Sequence, residues 1–285
     1  MVAGVFGLLI GSFINVVAYR VPAKISLMRE SRCPQCDTAI KPWHNVPVLG
    51  WFALRGRCAN CKAAISPRYP IVEAVTGLAF AAVTWWGLAV YDDLLNATLS
   101  AYLALPAVDG VVKPADVWAL GVVVVAFLYL ATVSILLALI DLDTKRLPNS
   151  IVLPSYVVAG VLFCVAALLS GEWDALLRAA TGMVALYVFY ALLRLARPGG
   201  MGGGDVKLAG VIGIYLGWLG WGALLVGAFA AFVYGGVFGI ILILIRRAGR
   251  KTAIPFGPWM ILGAWTGVFA GETISRWYVE LFTGA

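Results

Sequence analysis

The feature that most constrains this 285-residue chain is a series of long apolar runs separated by short polar stretches. Each run is close to the ~20 residues that a helix needs to cross a bilayer. Hydrophobic residues make up 62% of the chain and charged residues 12%, whereas a soluble domain is about half apolar and about a quarter charged. The composition excludes a soluble enzyme and a disordered chain, and it predicts an all-α polytopic membrane protein.

The runs between charges and turn residues predict about eight transmembrane helices. The longest run, residues 208–245, has 38 residues without a charge, so we expect it to fold back near residues 217–222. In the first span, Gly4, Gly7 and Gly11 share one side and allow a neighbouring helix to approach closely. The predicted spans lie at 2–19, 71–90, 117–140, 151–170, 176–193, 208–223, 225–245 and 257–275.

The placement of charge predicts which side of the membrane each loop occupies. Residues 20–69 hold nine basic residues against two acidic ones, and the loops 194–207 and 246–256 are also basic. By contrast, residues 91–116 hold one basic residue and four acidic ones. Since basic loops remain in the cytoplasm, we expect both termini to lie outside it. The net charge of +7 therefore reports topology, and we expect a lipid bilayer but no nucleic acid as a partner.

The first polar loop carries two CxxC motifs, formed by Cys33, Cys36, Cys58 and Cys61. This spacing is typical of a zinc ribbon with four thiolates, which leaves no open position and favours a structural ion. Two disulfides or unrelated thiols are the alternatives, and a reducing cytoplasm argues against disulfides. We therefore predict a small cytoplasmic zinc-ribbon-like domain between helices one and two. His44 is interpreted as a structural residue and Cys164 as a packing residue.

Two aspartates stand out because charge is rare near the spans. Asp141 ends the third span in ALIDLDTKRLPN, and Asp205 opens the sixth in GGMGGGDVKLAG, both at the predicted cytoplasmic boundary. Two converging aspartates can share a proton and activate water, as in aspartic proteases. Alternatively, Asp141 pairs with Lys145 one turn on, or Asp205 caps its helix. The residues alone do not choose between Asp141 and Asp143.

The order of these motifs resembles the bacterial prepilin peptidase family, over almost the whole chain. The resemblance rests on GSFINVVAYRVP, CPQC, KPWHNVPVLGW, CANC, RYPIVE, IDLDTKRLPN, GGGDVK and IPFGP. It implies a bacterial inner-membrane aspartic endopeptidase that removes the basic leader of type IV prepilins and type II secretion pseudopilins after a glycine. It also implies that Asp141 and Asp205 are the catalytic pair, with Asp143 and Lys207 in support.

The resemblance further implies methylation of the new N-terminus with S-adenosylmethionine. The candidate residues for this activity are Asn15, Arg20, Gly56, Arg57 and Glu73. Family members often have lysine at the position of Arg57, and the two side chains differ in geometry. As alternatives, Arg20 anchors the end of the first span, and Glu73 is a buried partner of Arg20 or Arg68.

The predicted organisation has three parts: a first helix at 1–22, the four-cysteine domain at 23–70 and the protease bundle at 71–285. Two other function classes compete with a protease. A proton-coupled transporter also uses intramembrane acids, although it usually places them near the midplane in repeated halves. A noncatalytic zinc-loop scaffold would tolerate the loss of either aspartate.

Overall fold

The computed structural model describes residues 1–104, 113–197, 201–245 and 255–283. Within these ranges the chain is helical, and the only β structure is two isolated bridges in the cysteine loop. The predicted all-α fold is therefore confirmed. The helices are α1 (Val2–Arg20), α2 (Leu49–Ala53), α3 (Arg68–Ala104), α4 (Pro114–Thr144), α5 (Asn149–Ser170), α6 (Trp173–Ala196), α7 (Gly203–Leu219), α8 (Trp221–Leu244) and α9 (Gly257–Thr283), with one 3₁₀ turn at Pro42–His44.

Six of the described helices are long and apolar enough to cross a membrane: α1, α3, α4, α5, α6 and α8. The other two predicted spans correspond to α7, with 17 residues, and to α9. The count of eight therefore stays a prediction. The expected fold-back is confirmed, because a Cβ atom at Gly227 of α8 would lie 2.7 Å from the Cδ1 of Leu216 of α7, and Gly220 alone separates the two helices. Most of the predicted basic loop, residues 246–254, lies outside the described residues.

The chain divides into two compact units. The first, unit 1, contains residues 1–112 and 127–139, and the second, unit 2, contains residues 113–126 and 140–285. The cysteine loop belongs to unit 1, whereas Asp141 and Asp205 both belong to unit 2. The functional division at residues 22 and 70 stays a prediction.

In unit 1, α1 packs antiparallel against α3 through the predicted glycine face. A Cβ atom at Gly7 would lie 2.8 Å from the Cβ of Phe80, and one at Gly11 would lie 2.7 Å from the Cα of Glu73. Any larger side chain at these positions would push the two helices apart. The expected close approach is therefore confirmed, and α3 is the neighbour.

In unit 2, α6 packs antiparallel against α7 along a contact that we call the α6–α7 seam. A Cβ atom at Gly182 would lie 2.7 Å from the carbonyl oxygen of Gly213, and one at Gly217 would lie 3.0 Å from the Cα of Ala179. Small residues bring the two backbones into contact, as is common between membrane helices. This seam positions the start of α7, where Asp205 lies.

Candidate active site

Asp141 lies in the last turn of α4 and is 4% exposed. Its Oδ2 accepts a hydrogen bond of 3.1 Å from the backbone N–H of Gly257, the first residue of α9. The positive end of α9 therefore faces this carboxylate, which favours a negative charge there. The alternative that Asp141 pairs with Lys145 is wrong, because Lys145 is the left-handed C-cap of α4 and forms no ion pair with Asp141.

Asp205 is the third residue of α7 and is 9% exposed. Its Oδ2 accepts a hydrogen bond of 3.0 Å from the backbone N–H of Gly202. It therefore satisfies one of the amides at the helix N-terminus, as a capping residue does. A Cβ atom at Gly204 would lie 2.7 Å from the Cβ of Leu147, so the glycine lets the segment after α4 pack against the start of α7.

The two aspartates converge in unit 2, where the charge on Asp141 acts on the carboxyl of Asp205. Each carboxylate uses its Oδ2 for one backbone amide. Neither Oδ1 accepts a hydrogen bond from any described residue. Two carboxylates whose charges interact can take the separate roles of acid and base in one reaction. These are the two roles that peptide hydrolysis needs.

The two residues expected in support lie at the edge of this site. Asp143 is exposed, two positions beyond the buried Asp141. The Nζ of Lys207 donates a hydrogen bond of 2.9 Å to the Oδ1 of Asn149, and the hydroxyl of Tyr156 donates to the carbonyl of Lys207. Lys207 therefore ties α7 to α5.

The four cysteines of the loop form one cluster in which all four sulfur atoms lie within 4.8 Å of one another. The Sγ atoms of Cys33 and Cys61 are 3.8 Å apart. A tetrahedral zinc ion with bonds of about 2.3 Å places its sulfur ligands ~3.8 Å apart, whereas a disulfide needs about 2.05 Å. The donor set therefore fits a four-coordinate metal ion and excludes disulfides in this structure.

The two CxxC knuckles have the same backbone fold. In each, the N–H of the first cysteine donates to a carbonyl five residues further on, at 3.0 and 2.8 Å. The residue directly after each second cysteine has a left-handed φ, 51° at Asp37 and 61° at Lys62. Two equivalent knuckles can approach one ion from opposite sides, which is how a zinc ribbon closes its site.

Hydrogen bonds prepare two of the thiols for a metal. The side chain and backbone of Thr38 lower the pKa of the Cys36 thiol to about 6. The backbone groups of Cys61 and Asn60 lower the pKa of the Cys58 thiol. Because the thiolate is the form that binds metal, both effects favour binding.

His44 and Cys164 are both interpreted as residues that do not bind the metal. His44 lies outside the group of potential ligands, which consists of the four cysteines among the described residues. Its interpretation as a structural residue stays a prediction. Cys164, interpreted as a small apolar packing residue, is exposed on α5, so it does not pack against the described residues. In a membrane helix an apolar thiol is tolerated on the lipid-facing surface.

Comparison with known proteins shows the family. Residues 5–86 match the bacterial peptidase A24 N-terminal domain, and residues 128–242 match the type IV leader peptidase family. Proteins of Stutzerimonas stutzeri, Pseudomonas aeruginosa and Neisseria gonorrhoeae are 33%, 30% and 30% identical. The alignments cover 97%, 96% and 96% of this chain and 92%, 91% and 91% of the relatives. The chain belongs to the type IV leader peptidase family.

These three relatives are named prepilin leader peptidase/N-methyltransferase. No solved structure matches the chain. The resemblance predicted from the motifs is confirmed, and the chain is a multi-pass inner-membrane protein. The N-terminal match contains the cysteine cluster and the second match contains both aspartates.

Two of the family's methyltransferase candidates join α1, α3 and the cysteine loop. The side-chain amide of Asn15 donates to the carbonyl of Tyr69 at 3.2 Å. The carboxylate of Glu73 accepts a hydrogen bond of 2.6 Å from the N–H of Val48 and another from the side chain of Ser12. Val48 has an unfavourable φ of 62° for a β-branched residue, so Glu73 holds a strained turn in place.

Arg20 and Gly56 also have structural partners. The guanidinium of Arg20 donates to four backbone carbonyls, those of Ser26, Leu27, Arg29 and Glu30. Arg20 therefore anchors the chain after α1, as one alternative predicted, and forms no ion pair with Glu73. Gly56 has a φ of 65°, and a Cβ there would lie 2.7 Å from the ring of Trp51.

The exposed Arg57 is the one candidate whose side chain has no such anchoring bond among the described residues. Four of the five candidates therefore have structural partners in or next to the loop, and their role in methylation stays a prediction. Sequence analysis did not identify the backbone amides of Gly202 and Gly257 as partners of the aspartates, because a backbone donor has no side-chain signature. The available signal was that Gly202 lies in the motif GGMGGGDVKLAG and Gly257 in the motif IPFGP.

Proposed function

We propose that this protein cleaves the basic leader peptide of type IV prepilins and type II secretion pseudopilins after a glycine, with Asp141 and Asp205 as the catalytic pair. One observation supports this proposal directly. Among the residues that the structure describes, each carboxylate is fixed by a single backbone amide, and the charge on Asp141 acts on Asp205. The names of the relatives supply the substrate class.

The reaction needs one ionised and one protonated carboxyl group. The ionised group takes a proton from water as the water oxygen bonds to the scissile carbonyl carbon, while the protonated group donates to the carbonyl oxygen. When the C–N bond breaks, the leaving nitrogen takes a proton from the pair, and one hydroxyl of the tetrahedral intermediate returns its proton to the pair as the C=O bond re-forms. The dyad ends with one proton, as it began, and the products are a carboxylic acid and an amine.

The predicted topology suits this substrate. With both termini outside, the dyad lies at the cytoplasmic boundary, so the charged leader stays in water while the apolar pilin helix lies in the bilayer. The basic cytoplasmic loops do not attract a basic leader, so we propose that recognition depends on local contacts at the dyad.

We further propose that the four cysteines bind a structural zinc ion and that the protein methylates the new N-terminus with S-adenosylmethionine. The thiolate geometry supports zinc, and the second half of the relatives' name supports methylation. Mass spectrometry of the mature pilin tests the latter. An unmethylated terminus, produced by active enzyme with S-adenosylmethionine present, would remove this second function.

The decisive experiment compares the purified wild type, Asp141→Asn and Asp205→Asn in proteoliposomes with a full-length prepilin. We expect each variant to lose cleavage by roughly 10³-fold or more, because residues that act as one catalytic unit are each indispensable. Asp174→Asn, on the exposed first turn of α6, is the matched control and should cleave normally. A scaffold would tolerate both dyad variants, so normal cleavage by either one contradicts the proposal.

A further inference from the structure

Tyr190 on α6 is a buried polar residue that the proposed mechanism leaves without a role. It is 2% exposed, and no hydrogen bond joins its hydroxyl to a described residue. Among the described residues, the fully buried hydroxyl that forms no hydrogen bond is that of Tyr215 and not that of Tyr190. A tyrosine hydroxyl in a buried region normally has a polar partner. The Tyr190 hydroxyl keeps some accessible surface, so a group that enters the site can reach it.

The register of the α6–α7 seam places Tyr190 opposite Asp205. The helices are antiparallel, so each residue further along α6 meets a residue one step earlier in α7. Three contacts set this register: Gly182 with Gly213, Ala179 with Gly217, and the guanidinium of Arg194 with Gly203. Tyr190 lies between Gly182 and Arg194, and the register set by all three pairs brings it level with residues 205–207.

Ring contacts place Tyr190 beside the other half of the dyad as well. Its ring centroid lies 5.5 Å from that of Phe232 and 6.3 Å from that of Phe256. Phe256 directly precedes Gly257, whose amide binds Asp141. The charge on Asp205 also reaches the Tyr190 hydroxyl, although no direct hydrogen bond joins them. The hydroxyl hydrogen is therefore available to a third group at the dyad.

We propose that Tyr190 is a third polar group of the active site and donates its hydroxyl hydrogen to the carbonyl oxygen of the scissile peptide bond. The proposal rests on the proposed peptidase function. As water adds to the carbonyl carbon, negative charge develops on that oxygen, and a fixed donor in a buried site stabilises it. Tyr190 keeps its proton throughout, so the proton balance of the dyad is unchanged.

Tyr190→Phe tests this because it removes the hydroxyl and keeps the ring against Phe232 and Phe256. We expect kcat to fall by roughly 10²-fold, the usual effect of losing one such donor, with KM and the melting temperature nearly unchanged. Tyr215→Phe is the matched control. Tyr215 is also buried, but it lies further along α7, and its loss of a hydroxyl should leave kcat at the wild-type value.

The outcomes separate this proposal from the proposed function. If wild type does not cleave prepilin, the peptidase function itself fails. If wild type cleaves and Asp205→Asn does not, wild-type kcat in Tyr190→Phe overturns only the role of Tyr190. A change confined to KM, a fall in melting temperature, or a displaced limb of the kcat pH profile would assign the hydroxyl to binding, stability or the tuning of Asp205, and each result also overturns the proposal.

Discussion

The buried polar groups of the two units are satisfied to different extents. In unit 1, Arg20 donates to four carbonyls and Glu73 accepts from an amide and a hydroxyl side chain. In the described part of unit 2, Asp141 and Asp205 each accept from one amide only. A buried group with its partners complete stabilises a conformation, whereas one with an uncommitted oxygen can still react.

This difference teaches that burial of charge alone does not mark a reactive site in this protein. Both Glu73 and Asp141 are buried acids close to a helix end. The number of bonds that each carboxylate already makes separates them. Substitutions in unit 2 should therefore change the rate of cleavage, and those in unit 1 should change the stability of the cysteine loop.

After the substitutions of the two aspartates, the largest loss of cleavage rate is expected for Gly257→Ala. The added Cβ would lie 2.7 Å from the Oδ2 of Asp141, so the carboxylate must move. A small displacement of a catalytic group can cost roughly 10²-fold in rate, and steady-state cleavage assays would measure it. Gly160→Ala on α5, where a Cβ meets nothing within 4 Å, is the control and should cleave normally. Equal rates for both variants would refute the geometry.

Cys58→Ser should remove most of the bound metal and loosen the loop, because three thiolates hold zinc less well than four. Metal analysis and limited trypsin digestion would measure the two effects, and cleavage of prepilin should fall far less than in Asp141→Asn. Cys164→Ser is the matched control and should retain its metal. An unchanged metal content in Cys58→Ser would count against the four-thiolate site. A complete loss of cleavage would contradict the difference between the units, in which unit 1 determines loop stability and unit 2 the rate of cleavage.

Glu73→Ala should destabilise the turn at Val48 by about 1–3 kcal/mol, since it leaves a partly buried amide unpaired. Faster hydrogen exchange of the α2 amides would report this change. Glu73→Gln keeps an acceptor oxygen and should have an intermediate effect. If both variants exchange like wild type while methylation is lost, Glu73 belongs to the methyltransferase chemistry and not to the loop.

The smallest effect, a local loss of stability in the cysteine loop, is expected for Gly56→Ala. A left-handed φ costs a residue with a Cβ about 1–2 kcal/mol, and the new Cβ would also meet the ring of Trp51 at 2.7 Å. Gly171→Ala, at a φ of 80° with nothing within 4 Å, carries the backbone cost alone. Hydrogen exchange around each site should show the greater loss of protection at residue 56, and equal losses would mean that the Trp51 contact contributes nothing.

The apolar runs predicted the helices well because a bilayer leaves the backbone no other partners. The first span was predicted at 2–19 and α1 is Val2–Arg20. The last was predicted at 257–275, whereas α9 continues to Thr283. That error arises because a charge such as Arg276 ends an apolar run without ending a helix.

The site was less predictable because its geometry depends on contacts between helices. Asp141 is buried and Asp143 exposed, a difference set by neighbouring helices and invisible in the local sequence. Choosing Asp141 required the family resemblance. The amide of Gly257 lies 116 residues from Asp141 and contributes only backbone, so the motif indicated its position but not its role.

The α6–α7 seam makes the protein sensitive to mutation far from its chemistry. Gly213 and Gly217 lie two and three helical turns beyond Asp205, yet they fix the height at which α7 begins its first turn beside α6. A bulky residue at either position would shift the helix against its neighbour while leaving both aspartates intact. Selection for conditional, temperature-sensitive loss of processing should therefore recover substitutions in this glycine row, where the alleles would impair the enzyme without altering a single reactive group.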